Sequence, residues 1–334
     1  MAKIFSGIRP SGRLHLGNYL GAIRNWIRLQ DEPDTTQCIY GVVDLHGITT
    51  PFDPKTYPEQ VNDAVLDFLA AGVNPEKSLL IRQSHVPQHA ELAWLFSTIT
   101  PLGWLERLPN WREKVQQVTA MGDAGASYQN NLSLLSYPVL MAADILVYGS
   151  DLVPVGEDQQ LHLELANEVA SKFNYLFGDT FPKIKPHIVE GARIMSLQDP
   201  SKKMSKTGDE GIALSDSPDE VRAKIKKAVT DSGSEIKYDE TEKPALSNLL
   251  TIYSTLADKG IGELEQEYEG KKYGEFKSDL AEVVVGFLEP FQARRSELAA
   301  DSATVEGILN ESEERARMIA STVLNEARER MGLR

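Results

Sequence analysis

The chain has 334 residues, with 35 Lys plus Arg against 49 Asp plus Glu and a formal charge of −14. Such an acidic balance excludes a general nucleic-acid binder, because phosphate contacts need cations, and any RNA partner must meet a local basic patch. With 41% hydrophobic and 25% charged residues, the composition excludes disordered and collagen-like chains and suits one large domain plus a smaller one.

Taken in chain order, the first element is a strand at Ile4-Phe5, followed by the loop Pro10-Ser11-Gly12-Arg13-Leu14-His15-Leu16-Gly17-Asn18 and a helix over 16–30. The helical pattern is carried by Leu16, Tyr19, Leu20, Ile23 and Ile27, and glycines at 7, 12 and 17 keep the turn open. A strand, a glycine-bearing loop and a helix N-terminus together present backbone N–H groups and a partial positive charge to an anion. A strand from Cys38 to Val43 and a helix over 54–72 come next, then a strand from Ser78 to Ile81 and a helix over 88–98. Cys38, the single cysteine, reads as a small core residue, so neither a disulfide framework nor a structural zinc site is expected.

A long apolar helix from Leu132 to Tyr148 carries one acid, Asp144, with Met141 one turn before it on the same face. A buried carboxylate demands a donor, which a ligand or a protein group such as a tyrosine hydroxyl can supply. The strand Leu152-Val153-Pro154-Val155 hands over at Gly156-Glu157-Asp158-Gln159 to a helix from about Asp158 to Phe173. There glycine allows a ribose to approach and the acids can accept its hydroxyl hydrogens, although acids at a helix start are also favoured by the dipole alone. Alternating strands and helices imply right-handed βαβ units, a parallel sheet and a ligand at its carboxyl edge.

Further on, Gly191-Ala192-Arg193-Ile194-Met195 reads as a strand, either a plain core strand or one whose backbone can meet an adenine edge. Lys202-Lys203-Met204-Ser205-Lys206-Thr207 then sets three lysines and two hydroxyls in six residues, a cationic loop suited to charge developing on a polyphosphate. From Pro218 the pattern is helical, near 218–228, 245–257, 261–268, 273–299, 303–309 and 311–331, a separate module. Arg222, Lys224, Lys226 and Lys227 on the first of these helices are the leading basic patch, or else a solvated face balanced by Asp219 and Glu220. No run approaches the roughly 18 apolar residues of a membrane span, and no secretory signal is evident near Met1, so a cytoplasmic protein is expected.

The pair of loops, an N-terminal Leu-Gly-Asn after the first strand and Lys203-Met204-Ser205-Lys206-Thr207 late in the chain, resembles the two signatures of class I aminoacyl-tRNA synthetases. Val43-Asp44-Leu45-His46, Tyr137-Pro138-Val139-Leu140-Met141-Ala142-Ala143-Asp144, Val153-Pro154-Val155-Gly156-Glu157-Asp158-Gln159 and Ala228-Val229-Thr230-Asp231-Ser232 narrow the resemblance to the bacterial tryptophanyl branch, over nearly the whole chain. The resemblance implies a Rossmann-like doubly wound α/β catalytic domain over 1–210 and an α-helical, tRNA anticodon-binding domain over 211–334, its last helix packing back on the first. It implies a homodimer acting on L-tryptophan, ATP with Mg²⁺, and tRNA(Trp), through adenylation and then transfer to the tRNA.

By the same resemblance Asp144 accepts a hydrogen bond from the indole N–H, and Phe5, His46, Tyr137, Met141, Gln159, Val153 and Val155 shape the tryptophan pocket. ATP falls to Arg9, Pro10, Ser11, Gly17, Asn18, Gly156, Glu157, Asp158, Ile194, Lys203, Met204, Ser205, Lys206 and Thr207, with Lys203, Lys206, Asn18 and His15 in the catalytic role and no metal held by the protein. His15 is open to two readings, a phosphate contact or a helix cap. Arg9, His15, Leu45 and Thr207 depart from the family's usual Gln, Thr or Ser, Gln and Ser. Two other readings stand beside this one: a tyrosyl-tRNA synthetase of the same fold, and a non-catalytic paralogue that regulates or binds RNA.

Overall fold

The computed structural model describes residues 2–10, 12–108, 131–156, 159–188, 193–205 and 210–333. Its centre is a five-stranded parallel sheet: β1 (Ala2–Ile8), β2 (Thr35–Val42), β3 (Leu79–Arg82), β4 (Leu152–Val155) and β5 (Lys185–Ile188), in the order β3-β2-β1-β4-β5. The central strands are apolar on both faces, as a sheet covered on both sides requires. Side-chain alternation then splits them between two cores. Ile4, Cys38, Tyr40, Val42 and Leu80 point into one core with Trp26 and Phe68. Phe5, Ile39, Leu79, Ile81 and Val153 point into the other, with Phe96, Val139 and Phe173.

Helices Tyr57–Ala71 on one side and Gln88–Ser97, Leu132–Leu146 and Gln160–Phe177 on the other supply those layers. The chain moves from β1 outward to β2 and β3, then returns to the other side of β1 for β4. Strand order reverses between β1 and β4, and the crevice past their carboxyl ends is where such sheets receive ligands.

The helical half shares these cores. Val221, Leu246, Leu250, Tyr253, Phe276, Val284 and Leu288 continue the first core, while Ala316, Ala320, Leu324 and Ala327 of the last helix join the second. That last helix is pinned to the end of β3 by the buried Glu313, which accepts from Arg82 Nε at 2.7 Å and from the Arg82 backbone N–H at 3.2 Å.

Four sequence expectations change. The two helices expected at 303–309 and 311–331 are one helix, Ser302–Arg330, because Asn310 is tolerable in a helix interior at small cost. The first helix contains a π-helical turn at Tyr19–Ile23 between Leu16–Asn18 and Arg24–Leu29. β5 was not expected; its exposed Lys-Pro-His-Ile pattern lacks the apolar signal of the inner strands and suits an edge, where proline is tolerated. The strand expected at Gly191–Met195 does not form over its described part: Met195 makes only an isolated bridge to Lys203, and Gly191 and Ala192 lie outside the described residues.

Candidate active site

A cavity of about 360 Å³ opens between the carboxyl ends of β1 and β4. Phe5, Ile8 and Arg9 reach it from β1, Val153, Val155 and Gly156 from β4, and His46 from the short turn after β2. Tyr137, Met141 and Asp144 reach it from the Leu132–Leu146 helix, at spacings of four and three residues that share one helical face. Gln159 completes the set beside His162. All eight residues expected around a tryptophan side chain therefore border one cavity.

Asp144 forms its polar end. His46 Nε2 lies 2.8 Å from Oδ2, while His89 Nδ1 and Gln83 Nε2 lie 2.7 and 2.6 Å from Oδ1. An ionised carboxylate only accepts, so each of these nitrogens carries the proton of its bond. Burial by itself would raise the carboxyl's pKa, but the charge and hydrogen bond of His46, followed by the hydrogen bond of His89, hold it well below the usual carboxylate range. Gln83 is oriented in turn, because its Oε1 accepts from the Leu45 N–H at 3.1 Å. The donors a buried Asp144 demands thus come from the protein, two histidines and a glutamine rather than a tyrosine.

The phosphate-like loops meet at the neighbouring corner. His15 and Ala213 form an antiparallel bridge, the Leu16 N–H donates to the Ile212 carbonyl at 2.8 Å, and the Leu214 N–H donates to the Leu14 carbonyl at 2.9 Å. Backbone bonds thereby fix the segment after the lysine loop to the N-terminal signature. A Cβ on Gly17 would stand 3.0 Å from His15 Nδ1 and 3.4 Å from Met204 Cβ, so glycine lets the loop and the helix start approach.

His15 caps the helix that begins at Leu16. Its Nδ1 accepts from the Asn18 N–H at 3.3 Å while Asn18 Oδ1 accepts from the His15 N–H at 3.2 Å, a reciprocal capping box. Pro10 is buried nearby.

In the lysine loop, the Met204 N–H donates to the Ile194 carbonyl at 3.0 Å, and Met204 is buried while Lys203 is exposed. Asn248 of the helical half clamps Met195 from both sides, accepting from its N–H at 2.8 Å and donating to its carbonyl at 3.0 Å. Ser205 Oγ donates to Glu210. Ser11, Glu157, Asp158, Lys206 and Thr207 lie outside the described residues.

Sequence reading missed Gln83, His89 and Tyr148 behind Asp144. The signal was faint, because Gln83 and His89 stand among other polar residues, in Arg82-Gln83-Ser84-His85 and Gln88-His89-Ala90-Glu91. In the expected basic patch, Lys224 Nζ bonds Asp216 at 2.6 Å and Arg222 bonds Glu282 at 2.7 Å, and Arg222, Lys226 and Lys227 are exposed on that helix.

A family model described as class I tRNA synthetases (W and Y) matches residues 1–289. The chain belongs to the class I tRNA synthetases of the tryptophan and tyrosine kind. It is 47% identical to the tryptophan–tRNA ligase of Bacillus subtilis, over 99% of this chain and 97% of that one. It is 46% identical to tryptophan–tRNA ligase 2 of Streptomyces avermitilis, over 99% and 96%. Among solved structures, the tryptophanyl-tRNA synthetase of Mycoplasma pneumoniae superposes with a TM-score of 0.88 at 33% identity, covering 99% of this chain and 98% of that one. The Campylobacter jejuni enzyme, complexed with ADP and tryptophan, superposes with a TM-score of 0.83 at 32% identity, covering 99% of each chain. Within the family, this chain stands with the bacterial tryptophanyl-tRNA synthetases.

Proposed function

We infer that this chain is an ATP-dependent tryptophan–tRNA ligase. In the first step a carboxylate oxygen of L-tryptophan attacks the α-phosphorus of ATP, the bond to the bridging oxygen breaks, and pyrophosphate leaves. In the second the terminal ribose hydroxyl of tRNA(Trp) attacks the activated carbonyl and AMP leaves. Neither step needs a protein nucleophile, so positioning and charge stabilisation dominate.

The observation that carries this reading is the adjacency of two features. One is a cavity with, among the described residues, a single buried carboxylate; the other is a corner where backbone bonds join the N-terminal loop to the segment after the lysine loop. In this reading Asp144 accepts from the indole N–H, and Phe5, His46, Tyr137, Met141, Gln159, Val153 and Val155 enclose the ring. Gly17, Asn18, Pro10, Ser11 and Arg9 face the nucleotide from one side, with Gly156, Glu157 and Asp158 at the ribose and the backbone of Ile194 at the adenine. Lys203 and Lys206 stabilise the leaving pyrophosphate, with Met204, Ser205 and Thr207 shaping their loop. The Mg²⁺ that comes with ATP is held on phosphate oxygens and water as part of the substrate.

His15 acts through the loop it caps. Its bond to the Asn18 N–H sets the helix start whose dipole faces phosphate. The division of labour follows the family: residues 1–210 catalyse, 211–334 take the anticodon, and the working species is a cytoplasmic homodimer with tRNA across both subunits. Tryptophan-dependent ATP–pyrophosphate exchange tests the core of the reading. Exchange with tyrosine in place of tryptophan, or none with either, would sink it; the latter outcome would favour a regulatory paralogue.

A further inference from the structure

Behind Asp144, on the side away from the cavity, lies a chain of hydrogen bonds that the adenylation chemistry does not use. His89 Nδ1 is 2.7 Å from Asp144 Oδ1, and His89 Nε2 is 2.7 Å from the Tyr148 hydroxyl. Both His89 and Tyr148 are 0% exposed. We propose that Tyr148 and His89 are positioning residues for side-chain selection, holding Asp144 so that one lone pair of its Oδ2 is kept for the indole N–H. The proposal rests on the reading of Asp144 as the indole acceptor.

The proton arrangement follows from what each group can donate. Asp144 only accepts, so His89 places its proton on Nδ1. Among the described residues, the Tyr148 hydroxyl is hydrogen-bonded to His89 Nε2. The hydroxyl proton has one acceptor there only if Nε2 is bare. Burial, then the negative charges of Asp144 and Glu313, raise the Tyr148 hydroxyl's pKa well above its ordinary value, so the phenol keeps its proton. A bare Nε2 means a neutral His89, which steadies Asp144 without neutralising it.

Lone pairs decide which oxygen remains. Two donors, His89 and Gln83, occupy Oδ1, whereas Oδ2 takes one, His46. A carboxylate offers roughly two acceptor positions on each oxygen. The open position is therefore on Oδ2, the oxygen shared with His46, which itself borders the cavity. Tyr148 also supports the opposite wall, because its ring stacks on Phe5 with centroids 5.7 Å apart and an interplanar angle of 20°. Tyr148, two residues beyond the end of the Leu132–Leu146 helix, thus holds the pocket's polar end through His89 and its aromatic wall directly.

The test compares tryptophan with its benzothiophene isostere, in which sulfur replaces the indole N–H and the shape is kept. Both are measured by pyrophosphate exchange in wild type, Tyr148→Phe and His89→Asn. Phenylalanine keeps the ring on Phe5 and removes only the hydroxyl. Asparagine offers an N–H to Asp144 but no link to Tyr148, and serves as the second variant if either protein melts early. For Tyr148→Phe we expect the KM for tryptophan to rise about threefold to tenfold, with kcat held and the KM for the isostere within about twofold. His89→Asn should retain part of the preference for tryptophan, since it keeps the donor.

A rise shared equally by both amino acids in Tyr148→Phe would reduce Tyr148 to a wall residue and overturn the proposal. An unchanged KM for both would do so as well. If the wild-type enzyme itself failed to prefer tryptophan over the isostere, the assignment of Asp144 would fall, a separate outcome from failure of the relay.

Discussion

The two ends of the candidate site are built in opposite ways. At the end proposed for tryptophan, the polar group is assembled from side chains far apart in sequence: Asp144 is met by His46, Gln83 and His89, with separations of 98, 61 and 55 residues, and every one is buried. At the phosphate end the groups come from short contiguous segments, and the bonds that join them are largely backbone ones, such as Leu16 to Ile212 and Met204 to Ile194. The contrast matches the two tasks. Telling one ring from another requires an acceptor fixed in a dry pocket, where an unpaired polar group is costly. Stabilising pyrophosphate requires cations that reach charge only as it develops, which suits an exposed Lys203 on a loop.

The largest effect should come from breaking the phosphate end. Lys203→Ala is expected to lower the single-turnover adenylation rate by about a hundredfold while ATP affinity changes little, because only interactions stronger in the transition state accelerate the step. Equal losses in ATP binding and rate would make the lysine an ordinary binding group. At the tryptophan end Asp144→Ala should instead raise the KM for tryptophan by about tenfold or more, with ATP affinity kept. That variant also leaves donors on His46, His89 and Gln83 without their acceptor, so its melting temperature should fall below that of Lys203→Ala. A tryptophan KM within about twofold of wild type would remove Asp144 from selection.

These two ends were unequally legible in the sequence. The phosphate end is written locally: Gly17, Asn18 and the lysine run are each recognisable from a few neighbouring residues, and the structure brings the two segments to one corner. Asp144 was legible as an acid in an apolar helix, yet its partners were not. Gln83 follows the charged end of β3 at Arg82 and His89 opens an ordinary amphipathic helix, so neither shows by spacing that it turns toward a residue more than fifty positions away. Strand β3 was found because its residues are apolar and buried up to Arg82, and β5 was not because its exposed residues leave no apolar run. The pairing of Lys224 was not legible for a related reason: its partner Asp216 lies beyond the helix that local charge counting surveys.

A smaller effect tests whether the join between the loops matters to catalysis. A Cβ on Gly211 would lie 2.8 Å from Met204 Cγ and closer still to the Ser205 carbonyl oxygen, which backbone cannot easily yield. Gly211→Ala should therefore displace the lysine loop, at a stability cost of about 1–3 kcal/mol, and slow adenylation by roughly tenfold with the KM for tryptophan unchanged. An unaltered rate in single-turnover measurements would show that the loop reaches pyrophosphate whatever its resting contacts.

The smallest effect concerns tRNA and lies outside both ends. Of the basic residues on the Pro218–Lys227 helix, Lys224 is held by Asp216 and by the Gly211 carbonyl at 3.0 Å, so its role is to brace the segment leading back to His15. Lys226 and Lys227 are exposed at the helix C-terminus, where the dipole favours cations and a phosphate backbone can approach them. Replacing both with Ser should raise the KM for tRNA by about twofold to fivefold and lower the slope of log affinity against log salt by about 1–2, since each neutralised phosphate contributes somewhat less than one. Pyrophosphate exchange should stay at wild-type rate, because neither lysine faces the cavity. Lys224→Ser should do the reverse, disturbing exchange by leaving Asp216 uncompensated next to the joined loops while hardly changing the salt slope. If the Lys226 and Lys227 double variant keeps both its tRNA KM and its salt slope, the helix face is only solvated, and the cations that meet tRNA must be sought on the helices after Tyr273.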